Sequence, residues 1–217
     1  MTIDQAYFEF VQLVNRNATN NNANIDKPRF VHLYNSVQTK YVEWILEKRN
    51  DDTIRYVSPL LVKGKELAKT GKGDQYDIFE LPTDFFDVSS LQAYVGACKF
   101  RTFEIKDDDV EELYHDANHQ PSLIYEETFY HTASNSVFIY TKDFEVTRAT
   151  LSYYREPKEV DMSGYKKIDG SQSTTVHPEL QDKAIGRILL AMAKQFSANN
   201  NDGAAYELTK DQLFTIT

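Results

Sequence analysis

Apolar positions in this chain follow two rhythms, a helical one near both ends and an alternating one between them. Tyr7, Phe10, Val11 and Val14 recur at helical intervals behind Thr2 and Gln5, whose spacing fits a capping box. An asparagine-rich connector, RNATNNNANID, follows, and Asp26 before Lys27-Pro28 reads as a second helix start. The stripe Phe30, Leu33, Tyr34, Val37, Tyr41, Trp44 and Ile45 holds the helical period to about Glu47, which predicts the spine of a core.

After Pro59 the rhythm shortens. YVSPLLV, YDIFELP, VSSLQAYV, KFRTFEI, SLIYEETFYH, SVFIYT and FEVTRATLSYY are short β-branched and aromatic runs between turn formers, which predict a small antiparallel sheet or sandwich. In LSYYREPKEVD, Leu151, Tyr153 and Arg155 alternate with Ser152 and Tyr154 until Pro157 stops the ladder. The helical period returns near Val176, where Pro178 can start a helix carrying Leu180, Ala184, Ile188, Ala191 and Met192 to about Phe196. Helices with such wide apolar faces are not stable alone, so the terminal helices are expected to pack together. The predicted class is α+β: a helical bundle from residues 1–58 and 172–200, an inserted antiparallel sheet or sandwich over 59–171, and an extended C-terminal tail over 201–217.

Composition narrows the chemistry. The single cysteine, Cys98, lies in the apolar run YVGACKF and reads as an inert core thiol in a reducing compartment. The amino terminus lacks a signal-peptide pattern and no window approaches a membrane span, so a soluble protein without membrane contact is expected. A formal net charge of -9 argues against tight non-specific nucleic-acid binding, because that affinity comes from cations displacing counterions. GKELAKTGKGD has the composition of a phosphate loop but not its spacing, and reads as a basic turn between strands. KDDDVEELYHDANH reads as a solvated acidic face. His115 and His119 have the spacing of a zinc pair but lack the HExxH glutamate and a third ligand. No nucleophile elbow is present, and neither a catalytic role nor a metal or other cofactor is expected. The aromatic strands could form a binding platform, although core packing explains them more simply.

The tail has its own pattern. In DQLFTIT, Phe214 and Ile216 share one face and Leu213 and Thr215 the other. A terminus this apolar is expected to dock on another chain or to fold back as an edge strand of its own sheet. Tyr206, Leu213, Phe214 and Ile216, with Tyr153, Tyr154 and Arg155, are the candidate interface residues.

The order of DKPRFVHLYNSVQTKYVEWIL, FELPTDFFDVSSLQAYV, PSLIYEETFY, SVFIYTKDFEVTRATLSYYREPKEVD and VHPELQDKAIGRILLAMAK resembles head-to-tail connector (adaptor, or ring) proteins of tailed bacteriophages, in particular those of short-tailed, crAss-like phages. The resemblance covers about residues 26–196. It implies a structural virion protein made in the host cytoplasm and assembled, typically in twelve copies, as a ring between the portal protein and the next ring or tail protein. Genomic DNA would pass transiently through the channel, where an acidic wall avoids phosphate contacts. Another neck or tail-hub ring component and a carbohydrate-binding β-module are the alternative readings.

Overall fold

The computed structural model describes residues 1–17 and 25–199. The asparagine-rich connector falls largely outside them, and the predicted tail entirely so. The chain is α+β, with five α-helices and eight strands among the described residues. Its described residues divide into two compact units, one built from the segments up to Leu60 and from Pro157 onward and the other from residues 61–156, so the sheet-bearing unit is an insertion.

In the first unit, helix α1 (Ile3–Asn17) begins with the capping box: the Thr2 amide donates to Gln5 Oε1 at 2.9 Å, and the Gln5 amide to Thr2 Oγ1 at 3.3 Å. Its buried face is Ile3, Ala6, Phe10 and Val14. Helix α2 (Lys27–Lys48) starts where Asp26 accepts the Arg29 amide at 3.1 Å, with Pro28 in the first turn. It stops at Arg49, whose left-handed backbone caps the Ile45 carbonyl. Phe30, Tyr34, Val37 and Ile45 are buried as the periodicity predicts, joined by Val31, Val42 and Leu46, while Trp44 is exposed. Helix α3 (Asp51–Ile54) leads into a 3₁₀ turn, Arg55–Leu60, where the sequence suggested a strand. The last helix, α5 (Asp182–Asn199), begins four residues after Pro178 and buries Ala184, Ile185, Ile188, Leu189, Met192 and Phe196. Phe10 lies 5.5 Å from Phe30 and 6.2 Å from Phe196, so rings from α1, α2 and α5 meet in one apolar cluster.

Residues 157–171, read from sequence as part of the insertion, group with this helical unit. Their polar run wraps along α2, where Asn35 exchanges hydrogen bonds with the Val160 backbone and Gln38 donates to the Lys158 carbonyl.

The second unit holds one curled sheet of eight strands: β1 (Leu61–Leu67), β2 (Lys69–Lys72), β3 (Tyr76–Glu80), β4 (Phe85–Val95), β5 (Cys98–Glu104), β6 (Glu127–Ala133), β7 (Ser136–Tyr140) and β8 (Arg148–Arg155). Their spatial order is β1-β8-β4-β5-β6-β7-β3-β2. The sheet is mixed rather than antiparallel throughout, because β5 and β6 run parallel. A parallel neighbour needs a crossover, and residues 105–126 with helix α4 (Val110–His115) supply it. The two outermost strands, β1 and β2, are separated along the chain by Ala68 alone, which forces the sheet to curl upon itself. Leu67, Phe79, Val88, Leu91, Phe100, Val137, Ile139 and Leu151 fill the interior.

That junction is also an ionic site. Lys69 lies 2.9 Å from the fully buried Asp77 and 2.6 Å from Glu145, and Asp77 accepts the Val146 amide at 2.7 Å. The basic stretch GKELAKTGKGD therefore spans the end of β1 and all of β2, where a turn was expected.

Candidate interaction surfaces

The sequence-derived interface residues separate into two groups. Tyr206, Leu213, Phe214 and Ile216 lie outside the described residues. Tyr153 and Tyr154 are buried within the chain, because β8 pairs with β1 on one side and β4 on the other and neither edge of the strand is open. The Tyr153 hydroxyl donates to Asp84 at 2.8 Å; burial first, and the Asp84 carboxylate second, push its pKa up to about 12. Arg155 is half-exposed and donates to the Glu156 carbonyl. Tyr153 and Tyr154 thus belong to the fold and not to a free surface.

The aromatic strands do not form an open platform either. Tyr76, Phe129, His131, Phe138 and Tyr140 pack on one another across β3, β6 and β7, with ring separations of 4.8 to 5.9 Å. The His131 ring stacks on Phe138 within 3° of parallel, and the Tyr140 hydroxyl meets its Nδ1 at 3.0 Å. Phe129, His131 and Tyr140 are buried.

The three most exposed large apolar side chains, Ile124, Tyr125 and Ile168, sit instead on short, well-bonded turns. Ser122 and Glu127 exchange both backbone hydrogen bonds, at 2.9 and 3.2 Å, and close a tight loop before β6. Ser122 Oγ accepts the Tyr125 amide, and Glu126 takes a positive φ of 53° to complete the turn. Its tip presents Leu123, Ile124 and Tyr125 to solvent, the last two 87% and 75% exposed. The sequence run SLIYEE reads as strand because it is rich in β-formers. Its signal for a display turn is the lack of alternation in Leu123-Ile124-Tyr125 after Pro121.

A second turn, in the helical unit, displays Ile168. The Lys167 amide donates to Ser171 O at 2.9 Å and the Gly170 amide to Lys167 O at 3.0 Å, so the side chain of Ile168 stands fully exposed on a closed loop. Asp161 anchors the loop from below. It accepts from the Tyr165 hydroxyl at 2.7 Å, the Met162 amide at 2.8 Å, the Lys167 ammonium at 2.9 Å and the Thr174 amide at 3.1 Å. Burial of this carboxyl opposes ionisation, but those four donors outweigh it and hold its pKa down to about 2. A cavity of about 590 Å³ lies beside this loop, lined by Val31, Asn35, Val160, Tyr165, Ile168 and Val176 among others. Asp161 borders it with its oxygens already engaged, so it organises the loop and is not poised for chemistry.

The remaining candidates resolve simply. Cys98 is exposed, since Gly96 and Ala97 form a two-residue hairpin turn between β4 and β5 and Cys98 pairs with Val95 at its rim. The core position expected for this thiol is not realised. His115 ends α4, and His119 lies beyond it, its Nδ1 2.5 Å from Asp116. Among the described residues, no three histidine, cysteine or acidic side chains gather as a metal site. No helix among them is long and apolar enough to cross a membrane. No protein-family model matches the chain, and no curated protein matches it.

Proposed function

We propose that this chain is a structural virion protein, a head-to-tail connector that forms a ring between the portal and the tail of a bacteriophage. The observation that carries this reading is the display of Leu123, Ile124 and Tyr125 on a closed turn. Apolar side chains held in water by a rigid backbone are costly in isolation and favourable once a partner covers them, and a fixed turn loses little conformational entropy on docking. Ile168 repeats the arrangement on the helical unit. Two such turns of different sequence suit heterologous contacts, which close rings. A helical bundle carrying an inserted sheet is the architecture that the resemblance implies, and the terminal helices and the sheet-bearing insertion are compatible with it. The net charge of -9 suits a channel that DNA must traverse without being held.

The same features support another neck or tail-hub ring protein, which differs in its place in the stack of rings rather than in its physics. A carbohydrate-binding module is less well supported, because the strand tyrosines pack on one another. Reconstruction of intact particles by electron microscopy tests the proposal. The expected result is a closed ring of this chain at the portal vertex, of about 300 kDa if twelve copies close it. Particles whose neck and tail contain no ring of this chain would sink the reading.

A further inference from the structure

The helical unit also carries a continuous strip of aromatic rings and cations. Tyr41 and Trp44 stack with centroids 6.4 Å apart and planes 27° apart. Arg187 of α5 lies near Tyr41 and sits 5.0 Å from the centre of the Tyr56 ring, with Arg55 5.4 Å from the same ring. Lys48, one helical turn beyond Trp44, and Lys183, one turn before Arg187, extend the positive charge. Lys48, Arg55 and Lys183 are exposed, Arg187 is half-exposed, and Trp44 is 47% exposed. Glu43 and Glu47 border the strip on α2.

These cations are electrostatically incomplete. Lys48, Arg55, Lys183 and Arg187 hold no carboxylate among the described residues, and what sets them apart from other such cations, for example Lys63 and Lys65 on β1, is the aromatic surface they flank. Tryptophan, tyrosine and arginine are also the side chains that dominate binding energy at protein interfaces, and here stacking has already ordered them.

The complement lies in the same sequence. Asp108, Asp109, Glu111 and Glu112, around the start of α4, are all exposed and hold no cation among the described residues. Two copies of a chain with a net charge of -9 repel over most of their surfaces, and setting this strip against this ridge brings opposite charges together. A contact between two different patches is of the heterologous kind.

We infer that the Tyr41–Trp44–Tyr56–Arg187 strip of one copy docks on the Asp108–Glu112 ridge of a second copy of this chain. The inference rests on the ring reading above and gives that ring a specific joint.

Disulfide trapping of the full-length chain, with Cys98→Ser as background, tests it. Lys48→Cys chains and Glu111→Cys chains are oxidised at low ionic strength, mixed and separately. The mixture is expected to yield several-fold more linked dimer than either variant alone. Adding Arg55→Glu and Lys183→Glu to the Lys48→Cys chain removes that excess, and adding Asp108→Arg and Glu112→Arg to its partner restores it. The altered side chains are exposed, so unchanged melting curves verify that each variant is folded. Equal yields in all three samples, or an excess indifferent to charge reversal, overturn the inference. Loss of binding to a short DNA duplex by the strip variants, with equal trapping yields, assigns the strip to nucleic acid and overturns it as well. A particle ring lacking this joint rejects the inference alone, whereas particles without any ring of this chain reject the underlying reading.

Discussion

Asp161 illustrates how much a single side chain can organise in a segment without regular structure. The loop from Pro157 to Gln181 contains only isolated bridges, yet one carboxylate ties together Met162, Tyr165, Lys167 and Thr174. Its pKa, lowered from 3.8 to about 2, makes this a pH-dependent contribution. A carboxyl depressed in the folded state stabilises fully above its unfolded value, and that stabilisation is lost as pH falls from about 4 towards 2. The shift corresponds to about 2 kcal/mol at neutral pH. Asp161→Asn is therefore expected to lower stability by about 2 kcal/mol at pH 7 and to lose less stability than the wild type between pH 5 and 2. Urea denaturation across that range checks it, and parallel curves for the two proteins would exclude the assigned role. The sequence gives no sign of this hub, because its donors come from backbone and side chains brought together by the fold of the loop. Trp44, placed in the core stripe by its spacing, is exposed for a related reason: a helical stripe identifies a face, but not where neighbouring elements cease to cover it.

At the level of elements, legibility followed the locality of the signal. The Thr2–Gln5 box and the Asp26-Lys27-Pro28 start are written within four residues, and both occur as local hydrogen bonds. Asp26→Ala is expected to cost about 1 kcal/mol of stability, measured by denaturation, while Asp26→Asn keeps most of it. The parallel β5–β6 pair and the short β2 strand were not legible, because each depends on a partner distant in sequence. The β1–β2 junction depends on one ionic contact that sequence spacing conceals. Burial opposes the charge of Lys69, but Glu145 and Asp77 outweigh that effect and raise its pKa. Removing one partner of a buried pair leaves an uncompensated charge, so Lys69→Met is expected to destabilise the sheet-bearing unit by about 3 kcal/mol. Lys69→Met combined with Asp77→Asn should recover part of that loss. A double-mutant cycle by thermal denaturation provides the measurement, and strict additivity would show that Lys69 and Asp77 do not interact.

On the scale of the whole molecule, the inserted unit was legible because the periodicity changes at both of its ends. Its second boundary was read too late, since the polar stretch after Pro157 has no periodicity to assign it to either unit. The tail poses the remaining assembly question. Among the described residues, buried apolar side chains of α5 reach as far as Phe196. In the sequence DQLFTIT, Phe214 and Ile216 alternate with Leu213 and Thr215, a pattern suited to strand addition on a neighbouring chain. Strand addition on a neighbouring chain leaves the subunit's own core intact, so deleting residues 207–217 should change folding stability by less than about 1 kcal/mol. The same deletion is expected to abolish incorporation of the chain into particles. Calorimetry of the isolated protein and quantification of the chain in purified particles separate the two effects. A truncated chain that no longer melts cooperatively would place the segment in its own subunit's core, and a truncated chain incorporated at the wild-type level would remove it from the assembly contacts altogether.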